Sequence, residues 1–245
     1  MSLTTARKVL ASCLVVPPVL WAASSLIGPS TSNGSSVHDQ LKDLNKIAAH
    51  KGAFVVSNIL FLVGAIVLII GTYGIVHVFR GRKVGVGQVA GGLIAIGMCV
   101  FFAFYGLGLT NYEQVNHAQF RTPATEQLFA QLNHYGQSSG VGAILFIALI
   151  LGTVLGPILL GIAVIRRRNV PLWSGILLIV CGPVGFFANG KAAGAGFQVL
   201  LIVAFAPLAL LMWRMSDEDW DAPRDVAGAR QDRLATSGST AAPAV

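Results

Sequence analysis

Four of the chain's five histidines fall in two polar stretches, His38 and His50 in the first and His117 and His134 in the second. Asp39, Asp43, Glu113 and Glu126 share those stretches. Imidazole beside carboxylate suits zinc, copper or iron, so His38, His50, His117 and His134 are the candidate metal ligands. Their spacing gives no ready-made site on one helix. His38 and His50 are twelve residues apart, about 120° around a helix. The chain has no HExxH and no histidine pair at i, i+4. Any such site must be assembled from both stretches. The plainer reading is that histidine is costly in hydrocarbon and these are the water-accessible segments. No cofactor is predicted; metal or haem is the alternative these side chains leave open.

His77 stands apart, three residues before Arg80 at the end of an apolar run. That position suits an interfacial residue, with a quinone or haem contact as the chemical alternative. No second histidine lies in an apolar run to complete a bis-histidine haem. Two glycine-rich stretches resemble nucleotide loops. "GFFANGKA" at 185–192 has the G-x-x-x-x-G-K spacing but lacks the Ser or Thr that holds magnesium. "GVGQVAGG" at 85–92 has the wrong final spacing for a dinucleotide turn. Packing is the better use: Gly87-x-x-x-Gly91 and Gly152-x-x-x-Gly156 are small-residue stripes that let membrane helices approach closely.

The elements that must position these residues come from the apolar runs. The chain is 54% apolar and 11% charged, with a mean hydropathy of +0.71, against about 25% charged in a soluble domain. Lipid is therefore the expected solvent for most of it. A helix needs about 20 apolar residues to cross a bilayer, and backbone in lipid must satisfy its own hydrogen bonds. Six runs qualify, at 10–27, 54–79, 84–109, 141–165, 172–188 and 195–213. The predicted fold is an all-α membrane protein: a six-transmembrane-helix bundle over residues 1–214, with two short amphipathic helices in the outer loops. Residues 215–245, acidic and then rich in Ala, Ser, Thr and Gly, are predicted to be a disordered cytoplasmic tail. The fifth run is short and carries Pro183 between Gly182 and Gly185, which predicts a kink. The first follows Arg7 and Lys8 and contains Pro17 and Pro18. It reads as a signal sequence or a retained anchor; retention is carried forward. The three cysteines, Cys13, Cys99 and Cys181, lie inside runs without metal-ligand spacing.

Lys and Arg set the orientation. With the N-terminus inside, the inner segments hold twelve of the 17 basic residues: Arg7, Lys8, Arg80, Arg82, Lys83, Arg166, Arg167, Arg168, Arg214, Arg224, Arg230 and Arg233. The outer segments hold Lys42, Lys46, Lys51, Arg121 and Lys191. The positive-inside rule then puts both termini in the cytoplasm. Trp173 and Trp213 fall at the inner interface and Trp21 at the outer, as an aromatic belt requires. The net charge of +7 is explained by these flanks, and no nucleic-acid partner is predicted.

Each long outer loop carries a short helix signal. In the first, Ser36 is placed to cap and Val37, Leu41, Leu44 and Ala48 share one face. In the second, Thr122 caps, Pro123 opens, Leu128, Leu132 and Tyr135 form the stripe, and Gly136 ends the helix. Such helices lie on the bilayer or across the bundle mouth. A shift of 87 residues lays "DQL" at 39–41 on "EQL" at 126–128, Gly74–Ile75 on Gly161–Ile162 and Arg80 on Arg167. That suggests a parallel repeat.

No Asp, Glu, Lys or Arg occupies the middle of a run. Intramembrane ionisable groups mark proton relays and ion paths, so an ion-coupled pump or an intramembrane acid–base enzyme is not expected. Ser57, Asn58, Gln88 and Gln198 are the deeper polar groups, suited to hydrogen bonds between helices. The stretch "GPILLGIAVIRRRNVPLWSGILLIVCGPVG" (156–185) resembles multi-pass integral membrane proteins of actinobacteria, in which an apolar helix ends in a basic turn and Pro-x-Trp opens the next span. The resemblance implies a bacterial inner (plasma) membrane protein and carries no activity. The leading functional reading is an integral membrane protein that binds a membrane-protein partner, a second copy of itself or a lipophilic ligand. A redox protein or enzyme built on the outer histidines, and a facilitative carrier or channel, are the alternatives.

Overall fold

A computed structural model of the chain describes residues 2–29, 37–80, 85–117, 122–128, 131, 139–167, 170–188 and 190–221. Its secondary structure is helical, with no strand among the described residues. In order these are α1 (Leu3–Ile27), α2 (Val37–Ala49), α3 (Lys51–Val78), α4 (Gly85–Asn116), α5 (Gly140–Arg167), α6 (Leu172–Phe187), α7 (Lys191–Arg214) and α8 (Asp217–Asp221). Residues 123–128 add a helical turn before α5. Among the described residues five helices are long and apolar enough to cross a membrane: α1, α3, the Gly85–Gly106 part of α4, α5 and α7. The fifth apolar run forms α6, whose apolar part, Leu172–Gly185, is shorter.

The long helices alternate in direction. Each packs on the next along the chain, α1 on α3, α3 on α4, α4 on α5, α5 on α6 and α6 on α7, and α7 returns to pack on α1. The result is a ring closed by its first and last long helices. One end gathers Arg7, Arg80, Arg167 and Arg214, and is called the basic end; the other is the loop end. The core is continuous inside the ring and includes Leu14, Ile75, Leu160, Leu178, Leu208 and Met212.

Close backbone approach at glycine sets the α4–α5 contact. A Cβ on Gly97 would lie 2.6 Å from the Gly152 Cα, so no side chain fits on either. Both predicted stripes pack as helix faces, Gly91 against Val76 of α3, and Gly152 and Gly156 against Gly97 and Ile94 of α4. The α5 helix widens to a π turn over Leu151–Leu155, where Thr153 Oγ1 donates to Leu149 O at 2.7 Å. π turns absorb a local mismatch inside an α-helix, and this one sits at the glycine contact.

Several boundaries differ from the sequence reading, each for a packing reason. α1 begins at Leu3, capped by Ser2, whose hydroxyl accepts from Thr5 N. It runs unbroken through Pro17 and Pro18, both buried. α4 continues past residue 109 to Asn116 because Tyr112 and Val115 meet Leu44 and Ile47 of α2 and Phe54 of α3. α2 is thus seated on the protruding ends of α3 and α4, and its buried stripe is Leu44 and Ile47 with Ala48 beside them. Burying a side chain of that size is worth about 1.5–3 kcal/mol relative to water. The second loop helix starts as predicted, with Thr125 N donating to Thr122 Oγ1 at 3.3 Å; Leu132, Tyr135 and Gly136 lie outside the described residues. α6 continues through Pro183 to Phe187. Past residue 215, where the sequence reading begins a disordered tail, the chain is helical again over Asp217–Asp221. Trp220 explains it, being buried at 5% exposure.

Candidate functional site

Three of the four predicted histidines are described. His38 is exposed on α2, and His50 is exposed at the junction with α3. His117 follows the last turn of α4, with Nε2 3.2 Å from Glu113 Oε2. His134 lies outside the described residues. Asp43 pairs with Lys46 at 3.5 Å. Among the described residues no three His, Cys, Asp or Glu side chains gather to hold a metal. The structure therefore pairs His117 with Glu113 of its own helix, and its neighbour Asn116 accepts from Lys51, next to His50, at 3.4 Å.

Deeper in the loop half lies an aromatic tier. Phe61 of α3 stacks on Tyr105 of α4 at 4.5 Å and on Trp21 of α1 at 6.2 Å. Phe101 sits 4.7 Å from Tyr105 and 6.0 Å from Trp21. Trp21 Nε1 donates to Phe61 O at 3.1 Å, and the side chain is 5% exposed. It is a core residue and no part of an outer belt, because its one donor is satisfied by a neighbouring helix. Trp173 and Trp213, by contrast, are half exposed at the basic end, as a belt requires. Phe61, Phe101 and Tyr105 were not singled out from sequence; aromatic spacing of four residues on α4, Phe101 to Tyr105, was the available signal.

Gln198 of α7 lies at the height of this tier. It shares the core face with Leu201, Phe205, Leu208 and Met212. Gly194, one turn before it, lies beside Ser25 of α1, so the antiparallel pairing brings Gln198 level with Trp21. It is 8% exposed, and its Oε1 has no hydrogen-bond partner among the described residues. The other deep polar groups behave differently. Ser57 meets Ser24 across α1 and α3 at 2.7 Å. Asn58 folds back on its own helix, donating to Phe54 O at 2.8 Å. Ser174 of α6 donates to Ala204 O of α7 at 2.7 Å. A buried polar atom without a partner costs about 1–3 kcal/mol, so Gln198 is the exception that asks for a function.

Among the described residues, the wall at this height is incomplete. The Gly140–Ile150 half of α5 has no buried residue, although Gly156–Arg167 of the same helix buries Gly156, Leu160, Gly161, Ala163 and Val164. α6 ends at Phe187, which is 79% exposed. The loop half of α5 thus rises past the end of α6, and among the described residues no helix covers that flank.

The basic end is tied by ionic and aromatic contacts. Arg7 is 5% exposed and its Nη1 donates to Asp217 Oδ1 at 2.8 Å. Thr4 Oγ1 donates to Asp217 Oδ2 at 2.5 Å. His77 stacks on Trp220 at 4.1 Å, with Nε2 2.9 Å from Trp220 O, and Arg80 Nη2 donates to the same carbonyl. Arg167 Nη1 donates to Val78 O at 2.5 Å. His77 is therefore occupied by the chain's own C-terminal segment. In the loop resembling a phosphate site, Gly190 has φ of 87° and opens α7, and Lys191 Nζ reaches Leu26 O at 3.3 Å. No strand precedes it among the described residues, and its lysine serves to close α7 on α1.

No family model, curated protein or solved structure matches this chain.

Proposed function

We propose that this integral membrane protein crosses a bacterial plasma membrane six times, with the basic end and both termini in the cytoplasm, and holds a lipophilic ligand in the loop half of its bundle. α6 makes the sixth crossing. Its 16 residues span about 24 Å at 1.5 Å per residue, a short fit that local thinning of the bilayer accommodates. α1 is retained, because its loss would strip Leu10, Leu14 and Trp21 from the core and leave α3 and α7 without their shared neighbour. The twelve basic residues of the inner segments support the orientation. A reporter active only outside the cytoplasm, fused after Val245, is expected to stay silent; activity there would reverse the topology.

The observation that carries the ligand reading is the unpartnered Gln198 Oε1, nine-tenths buried at the height of an aromatic tier. A ligand with an apolar body and one hydroxyl or amide donor would satisfy it, with the open flank above α6 as the way in from the bilayer. The tier's rings offer flat apolar contact. The test is the Gln198→Leu variant, purified in parallel with the wild type. Small molecules retained through gentle solubilisation are extracted and compared by mass spectrometry. The variant is expected to lose a species that the wild type keeps. It should also unfold at a higher temperature after the extract is stripped, because an apolar side chain no longer leaves a buried acceptor unmet. Identical extracts from both proteins would reject this reading.

A further inference from the structure

We infer that the basic end contains a binding site for the phosphate headgroup of an anionic phospholipid, and that Asp217 of α8 is its built-in, displaceable occupant. Three observations lead there. First, Arg7 is buried with only part of its donor set used. Nη1 is spent on Asp217, but the buried Nε has no partner among the described residues, and the buried Nε of Arg80 is in the same state. A guanidinium offers five donors in a planar fork that matches the oxygens of a phosphate. One carboxylate leaves that fork under-filled; a phosphate has more oxygens to give.

Second, the segment that fills the site is short and its carboxylate is open to solvent. α8 has five residues, and Trp220 alone among them is buried. Its ties run through two residues, Asp217 to Arg7 and Thr4, and Trp220 to His77 and Arg80, and the Asp217 tie is the one that a competing anion can replace. The Asp217 side chain is still 45% exposed, so water and competing anions reach it. Its neighbours Glu218, Asp219 and Asp221 are also acidic, which makes α8 an anionic plug over a cationic floor.

Third, the site stands at the level where headgroups are expected. Trp213 and Trp173 are half exposed at this end, in the manner of interfacial anchors. Lys8, next to Arg7, lies over the Trp213 ring at 5.5 Å. A bilayer phosphate at the Trp213 level is therefore at the same height along α1 as the plug, one residue round the helix from Arg7. Anionic lipid raises the local concentration of such groups, and each basic residue near that surface adds to the attraction. Exchange of Asp217 for a lipid phosphate would release α8 and the chain that follows it. The site is separate from the Gln198 tier at the opposite end of the bundle, so either proposal can fail alone.

The experiment is hydrogen exchange of the 215–221 segment in the full-length protein, in nanodiscs of zwitterionic lipid and in nanodiscs containing phosphatidylglycerol. Anionic lipid is expected to speed exchange at Trp220, whose N–H is held by Ser216 O, by about tenfold, the worth of one hydrogen bond to a charged group. Asp217→Asn should give the faster rate already in zwitterionic lipid and retain more phosphatidylglycerol after delipidation. Equal rates in both nanodiscs would overturn the proposal. A matching rise caused by inorganic phosphate in zwitterionic nanodiscs would assign the site to free phosphate and overturn the lipid assignment. The wild-type measurement stands on its own if a variant fails to fold.

Discussion

The two halves of α5 are close to a controlled experiment. Both are apolar, and they belong to one continuous helix. The half toward the basic end buries Leu160, Ala163 and Val164 against its neighbours; the Gly140–Ile150 half buries nothing. Apolarity cannot account for the difference, because lipid tails are as apolar as leucine and give no hydrophobic drive for helices to meet. Small-residue content does not account for it either, since Gly140, Gly142, Ala143 and Ala148 lie in the loop half. What differs is whether a glycine meets another backbone: Gly152, Gly156 and Gly161 face Gly97, Ile94 and Gly175 O at close range, whereas a Cβ on Gly140 would meet nothing within 4 Å. The same contrast separates the two ends of the ring. The basic end adds an ion pair at Arg7 and hydrogen bonds of Arg167 and His77 to backbone carbonyls, and the loop end, among the described residues, keeps an open flank and an unsatisfied amide.

Substitutions along this axis should show a steep gradient. Leu160→Ala, in the packed half, is expected to cost the most, about 2–5 kcal/mol for a fully buried leucine. Gly97→Ala should follow at about 1–3 kcal/mol, since a new methyl must force the α4 and α5 backbones apart. Ile147→Ala, on the exposed half of the same helix, should stay within about 0.5 kcal/mol. Thermal unfolding in one detergent ranks all three. A large loss at Ile147 would mean that the loop half of α5 is covered by something the ring itself does not supply, and would sharpen the ligand or partner reading. A small loss at Gly97 would remove close backbone approach as the reason the two halves differ.

Much of the scaffold was legible in the chain's own pattern. Long apolar runs announce helices because a backbone in lipid has no other way to satisfy its polar groups. Arginine placement separates one end from the other, and the stripes at Gly87–Gly91 and Gly152–Gly156 identify faces that do pack. The candidate sites were far less legible. The histidines drew attention as metal donors, but His117 turns to Glu113 on its own helix. His77 was readable only as an interfacial residue, because the ring that stacks on it, Trp220, lies 143 residues away. Composition predicts disorder from residue 215 onward, and within the described part Asp217–Asp221 is helical. One indole in the right place outweighs composition when a partner ring and a donor pair are waiting for it.

The residues by themselves determined that this chain is helical and apolar enough for lipid, where its long helices fall and which end collects the arginines, because hydrogen-bond satisfaction and charge solvation act on each segment locally. Only the tertiary structure decided that α7 closes on α1, that Trp21 is core, that Arg7 is tied to Asp217, and that Gln198 is buried without an acceptor's due. Those facts depend on which groups meet across 40 to 210 residues of chain, a geometric outcome of close packing that no local preference encodes.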